Sequence, residues 1–354
     1  MIAQYTQDNM TALEAISNAH KIAFAPMVFM ATVCLRDFNI LKTLDDNYKN
    51  GCTLDEIKEK VVISDYALKL LVDCGLSFNL IYLDDEKYKI TKLGHFVITD
   101  KMTIVNMNFT LDVCYQGLFS LKESFLNGKP EGLKVFGQWE TVYKGLSSLP
   151  KKAQDSWFGF DHLYSDTSAS FMLEHVFENN IDNLVDIGGN TGKWSLACCK
   201  YNSSVKMSIV DLQEQIVLAK ENINKTIYKD RIDYYPMNIL EDKALPENRN
   251  FWLSQFLDCF SEDQILFILN KVASAIGPYN KVFIQDLFFD RQHFEAEAFA
   301  LNASSLYFTA IANGNSRFYA YKDFVPLIQK AGLKIDKVYD HNVTGHTLLI
   351  CSKN

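Results

Sequence analysis

Between residues 262 and 276 apolar side chains recur at Ile265, Ile268, Leu269, Val272 and Ile276, the three-and-four spacing of a helix with one buried face. Ser261 stands before it as a cap, Glu262 and Asp263 fill its first turn, and Gly277-Pro278 stops it. Short apolar runs near 184–187, 206–210, 232–236, 251–257 and 281–287 read as strands, with helical patterns between them. That alternation predicts an α/β domain with a parallel sheet and right-handed crossovers. Two further runs, 334–340 and 346–351, are close enough to pair antiparallel across residues 342–345. Residues 254–260 then fall at the carboxyl edge of the sheet, where open α/β sheets bind ligands.

The first hundred residues follow a different pattern. Thr53 and Ser64 each cap a helix with an acidic first turn, and 80–83 with 88–91 predict a two-stranded wing. This is a winged helix, a module that often reads DNA. Its second helix, however, carries Lys69 against Asp65 and Asp73, and the wing tip carries Asp84, Asp85 and Glu86 against Lys87. A phosphate backbone would be repelled, so no nucleic-acid partner is expected. Residues 101–165 are helical and aromatic, with a loop at 127–132. The expected organisation is therefore a winged-helix domain over 1–100, a helical connecting and substrate-lid region over 101–165, and the α/β domain over 166–354.

Bulk properties sharpen this only slightly. Net charge is −8 over 354 residues, 48% of them hydrophobic and 22% charged, as in an ordinary soluble protein. The uncharged run 22–35 spans 14 residues and contains Pro26, short of a membrane span and expected as a buried interface helix. The N-terminus carries Asp8 and Glu14 and does not read as a signal peptide. Eight cysteines show no Cys-x-x-Cys pair and no histidine at zinc-finger spacing, which predicts reduced thiols, no metal and a cytoplasmic protein.

The chemistry is carried by 184–192, Leu-Val-Asp-Ile-Gly-Gly-Asn-Thr-Gly, and by Asp211 at the end of the next strand. A dinucleotide turn needs glycines at 188, 190 and 193, but the chain has Gly188, Asn190 and Lys193. A phosphate-cradling loop fails as well, because Ile187 and Trp194 stand where glycine and Ser or Thr belong. What remains is a glycine turn with Asp186 before it and Asp211 after it. Such a site suits a ligand with a ribose and a cationic amino-acid tail but no phosphate, and S-adenosylmethionine is such a ligand. Gly188 admits close backbone approach, Gly192 tight helix-on-strand packing, and Asn190 tolerates a left-handed conformation.

The order of these parts resembles the S-adenosylmethionine-dependent O-methyltransferases of plant caffeic-acid and bacterial polyketide-tailoring type, over nearly the whole chain. The winged helix is similar to their dimerisation domain, Asn127-Gly-Lys-Pro to their Thr-Gly-Lys-Pro loop, and 185–192 to their Asp-Val-Gly-Gly-Gly-x-Gly turn. Val210-Asp211-Leu212 resembles their Phe-Asp-Leu-Pro, and 231–238 occupies their Arg-Val-x-x-x-Gly-Gly-Asp segment. The resemblance implies a homodimer with a class I methyltransferase domain of Rossmann-like fold. It further implies a cofactor site of Asp186, Gly188, Asp211, Leu212, Met237, Asn238 and Ser254, with Met237 and Asn238 flanking the adenine. The expected acceptor is a hydroxylated aromatic small molecule of secondary metabolism, free or carrier-bound.

The main departure is at 254–262, Ser-Gln-Phe-Leu-Asp-Cys-Phe-Ser-Glu, which aligns with the family's Lys-Trp-x-Leu-His-Asp-Trp-x-Asp. Asp258 stands where the resemblance implies a general-base histidine, and Asp286 where it implies an orienting glutamate. A phenol near pKa 10 and a carboxylate near 4 differ by about six units, roughly 8 kcal/mol, too much for an ordinary aspartate to offset. Three outcomes stay open. The phenol is acidified by its own substituents, or the acceptor is a ring carbon and the product is C-methylated, or Asp258 is a base tuned by Asp286. A capping role for Asp258, and a scaffold without transfer activity, are the rival readings. His162, His293 and His346 are candidate substitute bases, Cys259 a packing residue, and the predicted helix 299–312, with Asn302, Ser304, Ser305 and Tyr307, a candidate pocket wall.

Overall fold

Seven strands form one sheet in the computed structural model: β3 (Asn183–Ile187), β4 (Lys206–Asp211), β5 (Ile232–Pro236), β6 (Phe251–Ser254), β7 (Val282–Asp286), β8 (Leu333–His341) and β9 (His346–Lys353). Here β1 (Ile81–Asp84) and β2 (Lys87–Ile90) are the strands of the wing. The order across the large sheet is β5-β4-β3-β6-β7-β9-β8, parallel except for β9, which is antiparallel to both neighbours. The structure describes residues 7–354 apart from 179, 242 and 342, and apart from the side chains of His162 and residues 164–167.

The sheet is covered on both faces, as a parallel sheet must be. Alternate residues explain how. Val185, Ile187, Phe251, Leu253, Val282 and Ile284 face the helices Glu262–Ala275 and Tyr321–Lys330. Leu184, Met207, Ile209, Trp252, Phe283, Leu348 and Ile350 face the helices Lys151–Phe177, Lys193–Tyr201 and Gln213–Ile223. Asp186 falls on this second, apolar face, so a carboxyl is buried where the period-two pattern calls for a hydrocarbon.

β6 ends at Ser254, three residues sooner than the apolar run predicts, because Gln255 takes a left-handed conformation with φ 45° and turns the chain. The wing strands begin and end close to their predicted bounds, joined by Asp85 and Glu86, both at positive φ as a tight hairpin turn requires. Ser261 and Gln264 form a reciprocal capping box at the helix Glu262–Ala275.

The chain divides into two compact units, one ending at Asp112 and the next beginning at Val113. The expected division at 100 falls between the helices Lys92–Thr99 and Lys101–Phe109 inside one unit, and that at 165 falls inside the other. Asp100 caps the next helix directly, accepting from Thr103 N at 2.7 Å, and one continuous helix, Lys151–Phe177, crosses residue 165. The first unit packs Leu35, Ile40, Leu41, Leu44, Ile57, Leu68, Val72 and Ile81 into its own core. The run 22–35 is not one continuous helix. It breaks at Phe24 into Ala12–Ala23 and Ala25–Asp37, bent by 67°, with Phe24 and Met27 exposed and burial beginning only at Thr32. No single described helix is long and apolar enough to cross a membrane.

Candidate active site

The turn after β3 depends on three left-handed residues, Gly188 (φ 76°), Asn190 (φ 47°) and Gly192 (φ 77°). A Cβ on Gly188 would come within 2.3 Å of the Phe256 ring, and one on Gly192 within 2.6 Å of Ile223. The turn is tied across strands: Gly188 N donates to Val210 O at 2.8 Å, and Asn190 N to Asp211 Oδ2 at 2.8 Å. Asp211 Oδ1 accepts from Leu212 N at 2.7 Å. Each carboxylate oxygen keeps a second lone pair, so Asp211 can still accept from two hydroxyls. Burial raises its proton affinity, opposed by those two N–H groups.

Asp186 is held differently. It lies beneath the turn, its Oδ2 accepting from Ser195 Oγ at 2.8 Å, and a side chain on Gly189 would collide with it. Burial pushes this carboxyl up to about 7. Around the same crevice, Met237 N donates to Asp211 O at 2.9 Å, Met237 is half-buried, and Ser254 closes β6 beside Gln285. Asn238 is exposed, and its Oδ1 accepts from Leu240 N at 3.1 Å. All the predicted cofactor residues therefore gather at the carboxyl ends of β3 to β6.

Asp258 is not a surface cap: it is 4% exposed, in the tight turn Leu257–Cys259. Two long-range hydrogen bonds fix that turn, from Asn313 Nδ2 to Cys259 O (2.8 Å) and from Tyr319 Oη to Phe260 O (2.6 Å). Asp286, at the end of β7, is equally buried, accepts from Leu287 N at 2.8 Å and takes a further hydrogen bond from the Asp258 backbone. Two carboxyls out of water and beside one another cannot both ionise easily. Burial, with Asp161 nearby, pushes Asp258 up to about 7, and burial with Asp258 raises Asp286 well above the carboxylate range.

Aromatic groups from distant segments surround the pair. Tyr143 Oη is buried against the Cys259 thiol, and Tyr307 accepts from Trp157 Nε1 at 2.7 Å. Cys259 Sγ lies 3.6 Å from Asp258 Oδ1, so it does more than fill space. The expected wall is a helix from Glu295 to Tyr307 continued by one wide turn, Phe308–Ala312. Tyr307 is buried, Asn302 exposed, and Ser305 bonded to Leu301 O and Phe318 N. Of the substitute bases, His293 is exposed, and His346 is buried against Thr344 and His341 and held far below the ordinary range, at about 3. The side chain of His162 lies outside the described residues. Sequence reasoning missed Tyr143, Trp157, Asp161 and Gln255; the surplus of aromatic residues was the one available signal, and it names no position.

A sheet in this order, with an antiparallel β9 and an acid-flanked glycine turn at the middle crevice, defines a Rossmann-like methyltransferase. The O-methyltransferase domain family matches residues 120–334, and a Dimerisation2-like domain matches residues 17–88. The chain belongs to the O-methyltransferase family and is an S-adenosylmethionine-dependent methyltransferase. O-methyltransferase 12 of Dictyostelium discoideum is 25% identical over 283 residues, 75% of this chain and 72% of that protein. The mitomycin 7-O-methyltransferase MmcR matches in fold with a TM-score of 0.70 at 16% identity, covering 96% of this chain and 98% of its own. Human N-acetylserotonin methyltransferase, in complex with S-adenosylmethionine, matches with a TM-score of 0.65 at 15% identity over 99% of each chain.

Proposed function

We propose that this protein methylates a hydroxyl group of an aromatic small molecule in secondary metabolism, with Asp258 and Asp286 together serving as the base. The observation that carries this is the burial of Asp258 beside Asp286. At about 7 its proton affinity equals that of the histidine it replaces, near 6.5. The gap to a phenol near 10 shrinks from about six units to about three, roughly 4 kcal/mol, within reach of a positioned base. Of the three outcomes left open by the residues, a tuned base is thus the one the geometry favours.

The donor set fits the cofactor: Asp211 has lone pairs to spare for ribose hydroxyls, and the turn approaches through glycine. In this reading Asp211, Leu212, Gly188, Met237, Asn238 and Ser254 line the cofactor, with Met237 and Asn238 at the adenine. Asp186 acts on the turn through Ser195 and Gly189. When bound, S-adenosylmethionine supplies an activated methyl group. This chain's residues hold the acceptor in line, exclude water with Tyr143, Trp157 and Tyr307, and take the acceptor's proton onto the carboxyl pair.

We infer that the protein acts as a homodimer. The helix Ala12–Ala23 buries nothing within its own chain and exposes Leu13, Ile16 and Ile22, which supports a covering second copy alongside the Dimerisation2-like match. The test of the reaction uses labelled cofactor with a panel of phenols, followed by location of the label. Label on oxygen is expected; label on a ring carbon would move the reaction to C-methylation, and no label with any phenol would end the reading.

A further inference from the structure

Strand order decides where each part of the cofactor falls. From β5 through β4 and β3 to β6 the strands lie side by side, and in the proposed reading their carboxyl ends carry the adenine at Met237 and the ribose at Asp211. The remaining piece, the amino-acid tail, then falls at the ends of β3 and β6. Between these two strands the chain changes sides. The helix after β3, Lys193–Tyr201, covers one face of the sheet, and the helix after β6, Glu262–Ala275, covers the other. Loops diverge at such a point and leave a crevice for a ligand. Gln255 is the first residue beyond β6 on that crevice. Its N–H donates to Gln285 O at 2.9 Å, and the ring of the next residue, Phe256, lies where a Cβ on Gly188 would stand.

Two observations set Gln255 apart. Its φ is 45°, and among the described residues every other non-glycine residue at positive φ is an asparagine or belongs to the wing hairpin. Asparagine eases that conformation by local hydrogen bonding, whereas the longer glutamine side chain does not. The second observation is its side-chain oxygen. Oε1 is shielded from solvent and meets no hydrogen-bond donor among the described residues. Strain of this kind persists where function holds it, and a buried acceptor is seldom left unused. A donor on the ligand answers both. The tail of S-adenosylmethionine has a carboxylate, which donates nothing, and an α-ammonium, which donates strongly. We propose that Gln255 is a cofactor-binding residue whose side-chain oxygen accepts from the α-ammonium, the left-handed bend at Gln255 serving to aim it there. This rests on the reading of the crevice over Asp211 as the cofactor site. A neutral amide suits the task, because it holds the cation without adding a negative charge to a segment that carries Asp258 shortly afterwards.

Calorimetric titration of the intact protein tests this without turnover. The probes are S-adenosylhomocysteine, its deamino analogue, which keeps the carboxylate and lacks the ammonium, and 5′-methylthioadenosine, which lacks the whole tail. Gln255→Gly deletes the oxygen and relieves the dihedral; Gln255→Met deletes the oxygen, keeps the length and the dihedral, and carries the test by itself if the glycine variant fails to fold. Each variant is expected to lose about tenfold in affinity for S-adenosylhomocysteine and little for the other two probes. A loss shared by S-adenosylhomocysteine and the deamino analogue, but not by 5′-methylthioadenosine, would mean that the amide N–H grips the carboxylate instead. An equal loss for all three would make Gln255 a residue that only shapes the crevice, and no loss would remove the contact. Each of these three results overturns the assignment and leaves the cofactor crevice standing. Failure of all three probes to bind the wild-type protein removes the crevice reading and the inference with it.

Discussion

The two halves of the candidate site are built on opposite principles. Around Asp211 the work is done by backbone: three left-handed residues, N–H groups aimed at a carboxylate, and glycines where a Cβ would strike a ring or a neighbouring helix. Around Asp258 it is done by side chains that converge from residues 143, 157, 161, 286 and 307. A backbone-built crevice tolerates few substitutions, because each residue type answers to a dihedral or a distance. A side-chain pocket can exchange a histidine for an aspartate, provided burial re-tunes the newcomer. In the proposed reading, the cofactor half keeps most of the pattern the resemblance implies, while the acceptor half exchanges its base.

The contrast breaks most sharply at Asp211. Asp211→Ala removes the acceptor of Asn190 N and Leu212 N together with the proposed ribose contact, so affinity for S-adenosylhomocysteine should fall about a hundredfold or more by calorimetry. An unchanged affinity would mean that the crevice holds the nucleoside elsewhere. Next comes Asp258→Asn, expected to lower kcat about a hundredfold and to abolish the rise of rate through about pH 7, while cofactor affinity is kept. Its effect on stability has the opposite sign. The folded carboxyl titrates near 7 against an ordinary 3.8, so the folded state holds the extra proton between those values. That contribution is complete at low pH and is lost as pH rises towards neutrality. The variant should therefore gain on the order of 2 kcal/mol over wild type at about pH 8 and little at about pH 4, measured by denaturant unfolding. A slower but more stable protein is the signature expected of a strained acid site.

Much of the fold was legible because period two, period three-to-four and capping chemistry agree along the α/β half, where each predicted strand from 184 onward has a counterpart in the sheet. The glycine turn was legible for the same reason as its rigidity: Asn190 and Gly192 are the residue types that left-handed dihedrals select. Three features were not legible. The end of β6 depends on Gln255 adopting a conformation that glutamine seldom takes, and nothing local announces it. The single helix across residue 165 carries no linker signal to contradict a division there. The groups that bear on Asp258 and Cys259 come from Tyr143, Asp161, Asp286 and Tyr307, far apart in the chain, so only folding brings Tyr143 and Tyr307 to the same thiol.

Gly188 tests the rigid half at smaller amplitude. Gly188→Ala asks an alanine to hold φ 76° and sets its Cβ 2.3 Å from Phe256, which in turn packs edge-on against Phe260 at 5.0 Å. Strain of about 1–3 kcal/mol is expected, with about a tenfold loss of cofactor affinity. Adding Phe256→Ala should restore part of the affinity by removing the collision but not the dihedral cost. Full restoration would show that the ring alone demands the glycine.

The smallest effect belongs to the adaptable half. Trp157 Nε1 donates to Tyr307 Oη at 2.7 Å, a hydrogen bond between the long helix and the pocket wall. Trp157→Phe keeps most of the packing and deletes that donor from a buried phenol oxygen. Because Tyr307 is a wall of the proposed acceptor pocket and not a member of the carboxyl pair, the loss should appear as a several-fold rise in acceptor KM with kcat nearly unchanged, about 1 kcal/mol of uniform binding. A comparable fall in kcat would mean instead that Tyr307 orients the reacting oxygen, and that the aromatic wall belongs to the chemistry as much as the carboxyl pair does.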